Sequence, residues 1–161
     1  MLFKKFKIKA FKDKRGLYWT SWKKSSLKNI NFKHDKFSLS KKNVLRGLHG
    51  DSKTWKLISC PYGKFLLVVV NYEKNTKNFL KWNSWVISHD NGLQILIPPN
   101  YANGHLCLSE KCLFHYKLSY VGPYADVSKQ FSLRWNEPKL NINWGIKNPI
   151  LSYRDKNSSF L

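Results

Sequence analysis

The chain has 161 residues, 42% of them hydrophobic and 16% aromatic, enough for one domain with a real core, expected to span residues 1–161. Twenty-nine Lys and Arg against nine Asp and Glu give a formal net charge of +20, a field that favours anionic ligands and excludes a chain built to bind cations. Fourteen basic residues fall in the first 42 positions, but they form no block of five and no nucleic-acid-binding motif, so phosphorylated small molecules are the expected partners, not nucleic acid.

Period-two alternation dominates the chain. At the N-terminus, Phe6, Ile8 and Ala10 alternate with Lys5, Lys7 and Lys9, a half-buried strand and no signal-peptide core. Asp13-Lys14-Arg15-Gly16 turns the chain into Leu17-Tyr18-Trp19-Thr20. Another strand is expected to begin at Ile30 and Phe32, followed by Val44–His49, Trp55–Cys60 and the apolar Lys64–Asn71. The longest uniformly apolar run, Phe65 to Val70, is far shorter than a bilayer requires, so no membrane association is expected. Further strands fit Trp82–Ser88, Gln94–Ile97, His105–Leu108, Cys112–Tyr120 and Leu140–Trp144, with turn formers such as Pro61-Tyr62-Gly63, Asp90-Asn91-Gly92 and Pro98-Pro99-Asn100 between them. This spacing predicts an all-β fold with little helix, an antiparallel sandwich or a jelly roll; closed as a jelly-roll barrel it would be a cupin-like container. The last ten residues are expected to be loosely ordered. Cys60, Cys107 and Cys112 make an odd count without metal-site spacing, which reads as reduced thiols in a soluble cytoplasmic protein.

The sequence concentrates its chemistry in Arg46-Gly47-Leu48-His49-Gly50, at the end of a strand. An imidazole there can face a cavity beside a guanidinium able to hold phosphate. Metal-binding cupins supply a His-x-His pair with a later Glu and His; His49 has no such partner, so neither a metal nor another cofactor is expected. His34, His89, His105 and His115 are scattered. Acid–base chemistry is what such a barrel has left.

Ser40-Lys41-Lys42-Asn43-Val44-Leu45-Arg46-Gly47-Leu48-His49 resembles the active-site strand of the dTDP-4-dehydrorhamnose 3,5-epimerase family. The resemblance continues in order along nearly the whole chain: Asp13-Lys14-Arg15-Gly16, Lys56-Leu57 with Gly63, Gln94-Ile95-Leu96-Ile97-Pro98, Tyr116-Lys117, Trp135-Asn136 with Ile142-Asn143-Trp144, and Leu151-Ser152-Tyr153-Arg154-Asp155. It implies a nucleotide-diphospho-4-keto sugar as substrate, inversion at C3, C5 or both, and a homodimer. It also implies that His49 is the base, Asp155 its orienting carboxylate, Lys56 the cation opposite the enolate and Tyr116 the proton donor on the opposite face. Arg46, and Arg15 from a neighbouring subunit, would grip the diphosphate. Trp19 and Tyr120 are candidates for stacking on the nucleotide base, and Asn103 and His105 for further substrate contacts.

Three positions depart from the family pattern. Its Gly-x-Ala-His-Gly appears as Asn100-Tyr101-Ala102-Asn103-Gly104, so a neutral amide replaces an imidazole. A Gln-x-Asn appears as His34-Asp35-Lys36, and an acid is lost at Leu67. Together with Gly50-Asp51, Pro98-Pro99-Asn100 and Tyr116-Lys117-Leu118, these resemble a branch acting on GDP-linked 4-keto heptoses for surface polysaccharide. Two rival readings are a sugar-nucleotide 3,4-ketoisomerase on the same barrel and a polyanion-binding barrel without turnover.

Overall fold

The computed structural model describes residues 4–161, so Met1–Phe3 of the N-terminal alternation lie outside the described residues. In chain order the elements are β1 (Lys4–Lys7), β2 (Ala10–Asp13), β3 (Gly16–Trp19), β4 (His34–Lys41), β5 (Leu45–Gly50) and β6 (Trp55–Tyr62). They continue with β7 (Lys64–Asn71), β8 (Trp82–Ser88), β9 (Leu93–Ile97), β10 (Tyr101–Cys107), β11 (Lys111–Ser119), β12 (Phe131–Ser132) and one short helix, α1 (Tyr153–Asn157). One five-stranded sheet runs β1-β9-β6-β11-β4 and a second runs β12-β5-β10-β7-β8, while β2 and β3 pair only with each other. Neighbouring strands in both sheets are antiparallel. Of the two arrangements the strand spacing allows, this is the jelly roll. Among the described residues no helix is long and apolar enough to cross a membrane.

Strand β7 shows why the fold needs both sheets and a covering tail. Its sequence Lys64–Asn71 is apolar at consecutive positions, so it cannot leave either face in water. Phe65, Leu67 and Val69 point between the sheets and join Ile58, Ile95 and Phe114 in the main core. Val68 and Val70 point the other way and are covered by Leu133, Leu140 and Trp144 from the C-terminal segment. That segment is anchored by the Trp82 indole donating to the Leu140 carbonyl at 2.6 Å and by Trp144 donating to Trp135 at 2.8 Å. Leu140–Trp144 is therefore not the strand expected from its pattern; its apolar residues are plugs over a sheet, which need no ladder.

Three other elements differ from expectation. The strand expected to begin at Ile30 and Phe32 lies further on, at β4, where the usual polarity is reversed. His34, Lys36, Ser38 and Ser40 are the covered positions, Ser38 lining the inner cavity, while Phe37 and Leu39 stand outside, 59% and 60% exposed. Strand β10 begins at Tyr101 instead of His105, since Asn100 adopts a left-handed φ of 65° at the turn and releases the chain into extended backbone early. The last ten residues are ordered: Ser152 caps α1, and Asp155 and Ser158 are buried.

Candidate active site

Strands β5 and β10 approach so closely that side chains are excluded between them. A Cβ on Gly47, whose φ is +122°, would sit 2.5 Å from the Gly104 Cα and 2.7 Å from the Asn103 carbonyl. The register pairs Asn103 with His49 and, after a shift, His105 with Arg46. All four side chains therefore line one cavity of about 250 Å³ inside the barrel. Lys56 and Tyr116 line the same cavity from the opposing sheet, on β6 and β11.

The C-terminal segment brings the carboxylate. It is stitched along β5 by mutual backbone hydrogen bonds between Leu48 and Leu133 and by the Ile150 carbonyl accepting from Leu45. The α1 helix then places Asp155 Oδ1 2.7 Å from His49 Nε2. Burial pushes the Asp155 carboxyl up, but the contacts of His49, Ser152 and the Gly47 backbone N–H outweigh it and hold the group below the usual carboxylate range. The carboxylate is thus ionised and aimed at the imidazole, an arrangement that fixes one tautomer and leaves the other ring nitrogen free to accept a proton. Ser152 completes the arrangement: its hydroxyl donates to Asp155 Oδ2 at 2.8 Å and accepts from the Asp155 backbone at 3.1 Å.

Lys56 is buried, and its Nζ donates to Asn103 Oδ1 at 3.1 Å. Burial lowers its pKa to about 8. Removing an ammonium from water makes its charge dear to keep and strong in effect. Tyr116 moves the other way: burial raises its phenol above the ordinary value, so at neutral pH it keeps its proton. Arg46 reaches from the cavity toward solvent, with Nε bonded to Ser40 Oγ at 3.1 Å. His105 is only 3% exposed, and its ring stacks on Phe114 at 4.1 Å and 12°.

Three of the sequence candidates lie elsewhere in the chain. Arg15 sits in the β2–β3 turn, ion-paired with Asp13 at 2.6 Å and 84% exposed. Trp19 lines a second cavity of about 680 Å³ on the outer face of the first sheet. Tyr120 is one ring removed from the active-site cavity: its hydroxyl lies 2.9 Å from His34 Nδ1 and its ring packs on Tyr124, which does line that cavity. The outer cavity holds a chain the sequence did not suggest, Ser59 Oγ 2.8 Å from His115 Nδ1 and His115 Nε2 2.7 Å from Asp35. It lacks the acid–base set of the inner cavity. Ser152, Tyr124 and Gln130 were also missed as cavity residues. Ser152 had a signal, since it stands within the Leu151–Asp155 motif; the other two come from an irregular stretch without one.

A family profile described as dTDP-4-dehydrorhamnose 3,5-epimerase matches residues 3–161. The chain is 35% identical over 158 residues to the dTDP-4-dehydrorhamnose 3,5-epimerase of Escherichia coli K12, covering 92% of this chain and 83% of the relative. It is 34% identical to that of Salmonella typhimurium over 156 residues, covering 91% and 84%. Among solved structures, the Bacillus anthracis enzyme with TDP and PPi bound superposes with a TM-score of 0.92 at 28% identity, covering 99% of this chain and 94% of that one. The Legionella pneumophila enzyme in complex with dTDP-4-keto-L-rhamnose gives 0.89 at 30% identity, covering 98% and 87%. The chain belongs to the dTDP-4-dehydrorhamnose 3,5-epimerase family.

Proposed function

We propose that this chain, acting as one domain, inverts carbons flanking the ketone of a nucleotide-diphospho-4-keto sugar without a cofactor. The observation that carries the reading is the His49–Asp155 contact on one sheet facing Tyr116 on the other across a single cavity. Protons on C3 and C5 are alpha to the C4 carbonyl, so losing either gives an enolate. His49 removes the proton, and Asp155 stabilises the imidazolium that forms. Lys56 offsets the negative charge growing on the ketone oxygen, with the Asn103 amide held beside it. Tyr116, still protonated, returns a proton from the opposite face, which inverts the centre. Arg46 at the opening takes the diphosphate by charge-assisted bonds.

The nucleotide we infer is GDP, on the resemblance of His34-Asp35-Lys36 and its companion motifs to the heptose branch; the relatives' names carry dTDP. The product serves surface polysaccharide synthesis in the cytoplasm, in keeping with three buried free thiols. A homodimer is supported by two features. The outer face of the first sheet exposes Phe37, Leu39 and Tyr62, and the self-paired β2–β3 hairpin exposes Phe11, Leu17 and Tyr18. Hairpin exchange between two copies would carry Arg15 of the partner subunit toward a diphosphate.

The test is incubation with GDP- and dTDP-linked 4-keto sugars in deuterated water, reading C3 and C5 by NMR. Deuterium at either carbon with inverted configuration is expected, faster with GDP. A product whose carbonyl has moved to C3 would replace this reading with a ketoisomerase.

A further inference from the structure

His105 is the least explained polar group in the cavity. Its imidazole is held between Phe114, stacked at 4.1 Å, and Phe65, at 5.4 Å, a setting that a phenyl ring would fill equally well. Its Nε2 is buried and has no hydrogen-bond or ion-pair partner among the described residues. A buried, unpaired nitrogen is unfavourable, and the other polar groups at this depth that the chemistry needs are matched: Lys56 meets Asn103, and Asp155 meets His49 and Ser152. A ligand atom is the missing partner.

The register says which atom. On the β5–β10 pair, Asn103 stands opposite His49 while His105 stands opposite Arg46. One end of the cavity therefore holds base, amide and Lys56, where the ketone must lie. The other end holds Arg46 near solvent with His105 beneath it. Two residues along a strand separate Asn103 from His105 by about 7 Å, roughly the span of a pyranose ring. A sugar with C4 at the first end presents C1 and its diphosphate to Arg46, and the hydroxyl beside C1 is that on C2.

Resting on the epimerase reading above, we propose that His105 Nε2 hydrogen-bonds the 2-hydroxyl of the sugar, making this chain selective for 2-hydroxylated over 2-deoxy 4-keto sugar nucleotides. Burial lowers the His105 pKa to about 3, so the ring is neutral at working pH and pairs with a hydroxyl as readily by accepting as by donating. Selection arises because a 2-deoxy sugar leaves the nitrogen unpaired in the complex as well.

The experiment compares a 4-keto sugar nucleotide with its 2-deoxy analogue by deuterium incorporation at C3 and C5, for the wild type, His105→Phe and His105→Gln. The wild type is expected to favour the 2-hydroxyl substrate in kcat/KM by about 10- to 100-fold. In His105→Phe that ratio should collapse toward unity, chiefly by loss on the 2-hydroxyl substrate. His105→Gln, which keeps a hydrogen-bonding group, should restore part of the preference. An unchanged ratio in His105→Phe would overturn the assignment and leave the epimerase intact. Equal losses on both substrates would reduce His105 to packing and overturn it too. Absence of exchange by the wild type on either sugar would instead overturn the epimerase reading itself.

Discussion

Lys56 serves chemistry at the expense of the fold. Its pKa falls from 10.5 to about 8 because burial disfavours the ammonium, while in the unfolded chain it returns to 10.5. Below pH 8 both states are protonated and the full penalty opposes folding. Between pH 8 and 10.5 the unfolded chain holds a proton that the native state has released, so stability contributed by this group rises with pH across that window. Activity is expected to run the opposite way, because in the proposed role the charge opposing the enolate disappears above pH 8. Lys56→Met is therefore expected to raise Tm at pH 7 by a few degrees in calorimetry, to erase the alkaline gain relative to wild type, and to lower kcat by about 10²–10³. His49→Asn should lower kcat by about 10²–10⁴ and keep the fold with a lowered Tm, because the buried Asp155 carboxylate loses its partner at 2.7 Å; retention of normal exchange in deuterated water would remove His49 as the base. The four residues proposed for the acid–base roles line one cavity, and their proximity could be read in advance because each sits in a motif whose order along the chain is shared with a known family. Trp19 and Tyr120 rested on residue type alone, and abundant aromatics give such choices little power; Arg15 rested on the Asp13–Gly16 motif, which calls on a neighbouring subunit that one chain does not contain.

At the scale of elements, α1 is shorter than two turns and owes its position to its cap. Ser152 accepts from the Asp155 backbone and donates to its carboxylate, so a single hydroxyl both starts the helix and aims the acid. Ser152→Ala is expected to cost about 1 kcal/mol, a drop in Tm of about 2–4 °C, and to lower kcat with little change in KM. A variant that loses stability but keeps kcat would separate the cap from the aiming role. Arg154 adds a second tether, its guanidinium donating to Ser132 Oγ at 2.8 Å next to the β12–β5 pairing. None of this was visible in the strand pattern, because a five-residue helix has no period to read. Strand β4 was hidden for another reason: its covered positions are polar and its apolar side chains face outward, the inverse of the alternation that marks an ordinary sheet. By contrast β5, β6, β7 and β8 were legible, since runs of apolar residues bounded by turns left little alternative.

For the molecule as a whole, the exposed Phe37 and Leu39 and the projecting hairpin predict a dimer of two 19.0 kDa chains. Phe37→Glu should shift sedimentation toward the monomer and weaken substrate binding more than it slows the chemistry, because the proposed acid–base set lies within one chain while the proposed diphosphate grip draws on Arg15 of the partner subunit. A monomer with unchanged KM would separate oligomerisation from the site. The antiparallel all-β architecture was legible from strand spacing, and the outer sheet face was not, because exposed apolar residues have no signature until the sheet is drawn. The tail that roofs the second sheet also has a consequence in time. Ribosomes release a chain from its amino end, and the imidazole emerges long before the carboxylate that activates it. Until translation delivers the final segment, the nascent protein therefore lacks both the roof over Val68 and Val70 and the carboxylate beside its imidazole.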